Sequence, residues 1–262
     1  MRLLVFGLGY TAGRIAGYLR GEGWTVEATG RAGSLDFADE AAVLAAIGRA
    51  SHILSSVPPD GASGEDPVLV RYGAALAAGT RAWTGYLSST GVYGDAGGAW
   101  VDESTPVGRG RRAARTEADL GWQALCGDVR VFRLPGIYGP GRSALDRVRE
   151  GRAHRIDLPN QIFSRVHVDD IVSGVVASFA GPPGVYNLAD DLPCHQNRVV
   201  EAACDLLGVE PPPLQSMAEA GLSPAARAFY AENRRVANGR AKRLLGWIPR
   251  YPTCREGLRA CL

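Results

Sequence analysis

Short apolar runs alternate with stretches in which apolar residues recur every three or four positions. "RLLVF" at 2–6 ends at glycine and reads as a buried parallel strand. Residues 11–21 follow with Ile15, Ala16 and Leu19 on one helical face. "WTVEATGR" at 24–31 and "ASHILSSVPP" at 50–59 are further strands, the latter stopped by Pro-Pro. A Gly/Asp/Ser loop at 60–66 leads to helical spacing over 67–79, then to the strand "WTGYLSS", a helix over 111–126 and the strand "DVRVFRLPG" at 128–136. Beyond residue 140 the pattern loosens. It gives a helix at 143–151, a strand "FSRVHV", a helix at 170–180 with Asp169 or Asp170 near its N-cap, a strand "GVYNLAD", a helix at 195–207, a turn at 209–214 and an Arg-rich helical tail.

This alternation predicts an α/β fold: a doubly wound parallel sheet with a smaller C-terminal subdomain. Residues 1–140 form the first part, with further elements from about 164–190; residues 141–262 form the smaller, discontinuous part. One interval is short. Between Thr29 and the strand at His52 there is room for one helix, at about 39–49, so the third strand is either shrunk to "SLDF" or missing.

Composition narrows the picture. With 262 residues, 46% hydrophobic, the chain can bury a large core. A net charge of +2 calls for neither nucleic acid nor an anionic membrane. Lys242 is the sole lysine, which removes Lys from catalysis almost everywhere. The five cysteines and four histidines are scattered without metal-type spacing, so no metal is expected, and the thiols read as those of a reduced, cytoplasmic protein. The N-terminal apolar run is too short for a signal peptide, and no stretch is long enough to span a membrane.

"VFGLGYTAGRIA" places Gly7-x-Gly9-x-x-Ala12 between a strand and a helix. Gly7 permits the tight turn, Gly9 lets a pyrophosphate approach the helix N-terminus with Tyr10 and Thr11, and Ala12 lets helix and strand pack closely. Arg31, after the second strand, would pair with a 2′-phosphate and so favours NADP over NAD; in so Arg-rich a chain an ordinary surface arginine is the alternative.

With "VPP", "YLSSTGVYG", "RLPGIYGPG", "FSRVHVDDI" and "YPTCREGL" also present in order, the chain resembles an atypical, extended short-chain dehydrogenase/reductase of the NAD(P)-dependent epimerase/dehydratase family. The resemblance implies a Rossmann-type dinucleotide-binding domain over 1–140, a smaller C-terminal substrate-binding subdomain over 141–262, and a catalytic hydroxyl at Ser89. It places Ser55, Val57, Pro58 and Ser88 along the cofactor, and Pro135, Gly136 and Ile137 beside the nicotinamide. Thr90, Tyr138, Arg165 and His167 fall on the substrate side. A homodimer is a prior drawn from the same resemblance. The family's Tyr-x-x-x-Lys pair is absent, because "VGRGRRAARTEADL" contains neither residue. Tyr93 is the nearest replacement acid and Tyr138, with Arg142 four residues on, the next; for both, packing or substrate contact weighs more. Arg109, Arg111, Arg112 and Arg115 bind an anion or, more in keeping with such runs, form a solvated face. His167 reads as a pocket-wall or hydrogen-bonded residue rather than a base.

Two functions follow. One is an NADP-dependent oxidoreductase or epimerase/dehydratase-like enzyme acting on a small polar substrate, sugar-like among the options. The other is a non-catalytic NAD(P)-binding redox sensor or regulator. The retained Ser89 and the Arg165/His167 pocket favour the first, and the missing Tyr-x-x-x-Lys pair the second.

Overall fold

The computed structural model describes residues 1–262 except 109, 111 and 112. Arg109, Arg111 and Arg112, three of the four clustered arginines, therefore lie outside the described residues; Arg115 lies on a helix. Six parallel strands make the main sheet: β1 (Arg2–Phe6), β2 (Thr25–Ala28), β3 (His52–Ser55), β4 (Trp83–Ser89), β6 (Val129–Leu134) and β10 (Gly184–Asn187). Their order is β10-β6-β4-β3-β1-β2. Between them run α1 (Tyr10–Gly21), α2 (Glu40–Arg49), α3 (Pro67–Ala78), α4 (Ala113–Leu125) and α6 (Val168–Ala177).

The apolar runs are continuous because alternate side chains enter two different cores. Leu3 and Val5 of β1 pack with Ile15 and Leu19 of α1 and Ile171 and Val175 of α6. Leu4 and Phe6 pack on the other face with Val43 and Ile47 of α2 and Tyr72 and Leu76 of α3. Asp66 joins two helices on that face: its carboxylate caps α3 and accepts the indole N–H of Trp122 at 2.8 Å.

The short interval has a clear outcome. Leu35 makes a single parallel bridge to Thr29, and its N–H donates to the Ala28 carbonyl at 3.0 Å. The third strand survives as one ladder position, and β2 forms the edge of the sheet.

Two-residue strands are added outside the sheet: β5 (Trp100–Val101) pairs with β12 (Arg235–Val236), and β8 (Arg155–Ile156) with β11 (Leu214–Gln215). The region read as a turn at 209–214 thus ends in a strand. β7 (Gly136–Tyr138) pairs with β9 (Arg165–His167). Helices α5 (Ala144–Arg149), α7 (Gln196–Leu207) and α10 (Cys254–Arg259) share a third, smaller core. The tail is broken into α8 (Pro224–Phe229), α9 (Gly239–Leu245) and α10.

Neither Asp169 nor Asp170 caps α6. His167 is the N-cap, and its Nδ1 accepts the Asp169 N–H at 3.2 Å. Asp170 instead holds the tail, accepting from the backbone N–H groups of Arg250 (2.6 Å) and Tyr251 (3.1 Å). Burial still pushes its carboxyl up to about 6. No helix among the described residues is long and apolar enough to cross a membrane.

Candidate functional site

In the sheet order, β2 lies on one side of β1 and β3 on the other. The chain reverses direction across the sheet there, so a crevice opens beyond the C-terminal ends of β1 and β3, the usual ligand position in this architecture. Gly7 sits at that end with φ +82°, a conformation that favours glycine. A Cβ on it would stand 2.9 Å from Val57 Cγ2. The turn is pinned from both neighbouring strands. Thr29 Oγ1 accepts the Gly7 N–H at 3.2 Å, and Ser56 Oγ donates to the Gly7 carbonyl at 2.5 Å.

Gly9 is the N-cap of α1 and offers no side chain to the first N–H groups; no acidic residue occupies the first turn. A Cβ on Gly9 would meet nothing within 4 Å. Open space over uncapped N–H groups at the positive end of a helix is what an anion needs. Thr11 and Ala12 are buried against the sheet, while Tyr10 donates its hydroxyl to the Pro140 carbonyl at 3.0 Å. Ser55 is fully buried, with no hydrogen-bond partner for Oγ among the described residues; Val57 is half-buried and Pro58 exposed. Arg31 is exposed beside a hollow of about 380 Å³ lined by Gly30 and Gly33–Phe37.

Adjacent hydroxyls at the end of β4 have different fates, because successive strand residues face opposite ways. Ser88 points away from the crevice and donates to Asp119 Oδ2 at 2.5 Å, so its hydroxyl is committed to the core rather than to a cofactor. Ser89 accepts the Gly91 N–H at 3.1 Å, and its own hydrogen has no acceptor among the described residues. With Thr90, Pro135 and Gly136 it lines a cleft of about 130 Å³, closed by Phe163, Phe229 and Arg234.

Tyr93 does not reach this cleft. Its ring, 2% exposed, lies 4.9 Å from the Arg133 guanidinium; its hydroxyl donates to Asn187 Oδ1 (2.8 Å) and accepts from Arg133 Nη1 (3.1 Å). Burial pushes the phenol up to about 12. A tyrosine held this way positions structure and has no free proton to offer. Tyr93→Phe is expected to cost about 1–3 kcal/mol by leaving two buried groups unpaired, read as a lowered urea midpoint with an unchanged slope.

Beyond Gly136 a second cavity of about 450 Å³ is lined by Ile137, Tyr138 and Arg165 among others. Tyr138 Oη has no partner among the described residues, and burial raises its pKa. His167 is a correction: it is 1% exposed, packed against Tyr138 and Tyr251, and occupied as the α6 cap, not facing the cavity. Burial lowers its pKa, as for a neutral cap. The chain's charge pattern did not announce three further features. These are the Arg133–Asp119 pair (2.8 Å), the aromatic wall of Phe229 and Tyr230 contributed by the tail, and the approach of Cys194 and Cys254 to 3.8 Å between sulfurs. A charged residue inside "VRVFRL" was the one available signal for the first.

No family model matches the chain. A curated Streptomyces protein, 3-diazoavenalumate denitrifying reductase, is 30% identical over 143 residues; the match spans 49% of this chain and 45% of that protein, less than half its length. Among solved structures, the human epimerase family protein SDR39U1, solved with NADPH, superposes with a TM-score of 0.79 at 17% identity over 99% of this chain and 98% of that one. A functionally unknown conserved protein from Silicibacter pomeroyi DSS is 42% identical over 99% of this chain and 97% of its own, with a TM-score of 0.87. The chain belongs to one family with the functionally unknown conserved protein from Silicibacter pomeroyi DSS, and it shares the fold of the human epimerase family protein.

Proposed function

We propose that the chain is an NADP-dependent oxidoreductase, reductase- or epimerase/dehydratase-like, acting on a small polar substrate. The observation that carries this reading is the open, uncapped N-terminus of α1 above Gly9, with the Ser89 cleft at the same edge of the sheet. The residues present fit a dinucleotide. Gly7, Gly9 and the first N–H groups of α1 at Tyr10, Thr11 and Ala12 would hold the pyrophosphate. Arg31 would meet a 2′-phosphate. Ser55, Val57 and Pro58 would flank the ribose, and Pro135, Gly136 and Ile137 the nicotinamide. When bound, such a cofactor supplies or accepts a hydride.

Ser89, with a free hydroxyl hydrogen, donates to the substrate oxygen and stabilises the charge that develops there. Thr90 shares its cleft, and Tyr138 and Arg165 line the adjoining cavity on the substrate side. In this reading residues 1–140, with elements from about 164–190, carry the nucleotide and residues 141–262 the rest of the substrate side. The reductase name of the Streptomyces relative agrees with hydride chemistry but covers only half of each chain.

Ser89→Ala is expected to lower kcat about a hundredfold with little change in NADPH affinity, measured by NADPH oxidation across a carbonyl panel. Arg31→Ala is expected to weaken NADPH about tenfold and leave NADH unchanged, measured by nucleotide fluorescence titration. Equal loss for both nucleotides would remove the 2′-phosphate role. A second reading, a non-catalytic NAD(P)-binding sensor, is favoured by the commitment of Tyr93 to Asn187 and Arg133 in a chain without Tyr-x-x-x-Lys. Tight NADPH binding without turnover on any carbonyl would support it.

A further inference from the structure

We infer that the larger cavity binds a small amphipathic carboxylic acid, which makes the substrate of this site an organic acid with an apolar or aromatic body. The inference rests on the oxidoreductase reading for its role, but not for its geometry. The cavity of about 450 Å³ shares Gly136 and Phe229 with the Ser89 cleft, so one molecule can occupy both. Arg147 and Arg165 line it and no Asp or Glu does among the described residues, while the adjoining Ser89 cleft adds Arg234 and Glu232.

Arg165 is built as an anchor. It is 7% exposed, and its guanidinium is fixed by the Phe163 and Cys194 carbonyls through Nη1 (3.0 and 3.1 Å) and by Gln196 Oε1 through Nη2 (2.7 Å). Those bonds leave Nε–H and the second Nη2–H without partners among the described residues. A guanidinium with N–H groups still unused can donate to the oxygens of a carboxylate. The Cys194 sulfur takes a third contact from Nη1 at 3.4 Å, and the buried carboxyl of Asp190 does not cancel the charge. Asp190 forms no hydrogen bond through either carboxylate oxygen among the described residues, and burial pushes its carboxyl up to about 8, which keeps it chiefly protonated at neutral pH.

Much of the remaining wall is apolar, with Val199, Val200 and Leu258 from α7 and α10 and the rings of Phe229 and Tyr230; Tyr138, Gln196 and Cys254 add polar atoms. A cavity of this volume lies toward the small end of ligand sites, about 300–1,000 Å³. It suits a single ring with an acid group and is small for a nucleoside diphosphate sugar.

Full-length protein, with and without saturating NADPH, would be titrated calorimetrically with benzoate, naphthoate and cyclohexanecarboxylate, and with the corresponding carboxamides. The acids are expected to bind at least about tenfold more tightly than their amides. Arg165→Lys should remove about tenfold of the acid affinity and leave NADPH affinity intact. If Arg165→Lys does not fold, the pair Arg147→Ala and His154→Gln, at exposed and half-buried positions, should weaken the acids by a similar factor. Acids that bind no better than amides, or no binding by any of the three acids while NADPH still binds, would overturn the inference and leave the nucleotide site standing. Acid binding without NADPH binding would uphold the inference and overturn the oxidoreductase reading.

Discussion

Asp119→Ala is expected to destabilise the protein by about 3–5 kcal/mol, a large share of the roughly 5–15 kcal/mol that holds a domain folded. Asp119 is fully buried on α4, and its carboxylate is the centre of a polar network beneath the Ser89 cleft. Arg133 of β6 meets it through Nε (3.1 Å) and Nη2 (2.8 Å). Ser88 and Gln123 donate to it at 2.5 and 2.6 Å. The third arm of Arg133 holds Tyr93, and Tyr93 holds Asn187 at the end of β10. Removing the carboxylate leaves a guanidinium, 4% exposed, without its counter-charge. The asymmetry is diagnostic. The double replacement Asp119→Leu with Arg133→Met should recover most of the loss, because an apolar pair avoids the desolvation that the ion pair must overcome. Urea unfolding of the single and double variants measures both effects. A single-variant loss under about 1 kcal/mol would show that the network is not the structural centre described here.

Asp190→Asn is expected to stabilise the protein at alkaline pH and to flatten its pH dependence. Burial raises the Asp190 carboxyl from 3.8 to about 8, against the attraction of Arg165. The folded form therefore keeps a proton that the unfolded chain has lost between those values. Stability contributed by this group falls as pH rises through the window, and the full penalty is present above about pH 8. At pH 7 the penalty is about 4 kcal/mol, so the asparagine variant should melt on the order of 10 °C higher there. Near pH 4 the two proteins should converge. Thermal melts from pH 4 to 9 give the comparison, and parallel profiles for the two proteins would contradict the buried, protonated carboxyl.

Several of these features were open to the sequence. "RLLVF" reads as a strand buried on both faces because its alternate residues enter separate cores. The shrinking of the third strand was visible as a shortage of residues between Thr29 and His52, but not that one bridge at Leu35 survives. The glycine turn was legible because its chemistry is local. The hydroxyls after it were not resolved by residue type: Ser88 and Ser89 differ only in which face of β4 they occupy. Tyr93 looked available because its partners lie far away in the chain, Arg133 at a separation of 40 residues and Asn187 at 94. His167 was drawn to the substrate side by its motif, whereas the start of α6 claims its ring as a cap. Phe229 and Tyr230 complete the cavity from a tail whose pattern shows only short helices.

The central claim is that the crevice at Gly7 and Gly9 binds a nicotinamide dinucleotide. Titration of the purified protein with NADPH and NADH, followed by nucleotide fluorescence and thermal shift, tests it most directly. The predicted result is saturable NADPH binding that stabilises the fold, is weaker for NADH, and is lost in Gly9→Val, where a side chain would fill the open space over α1. Absence of binding by either nucleotide, in a protein whose melting shows that it is folded, would contradict the account.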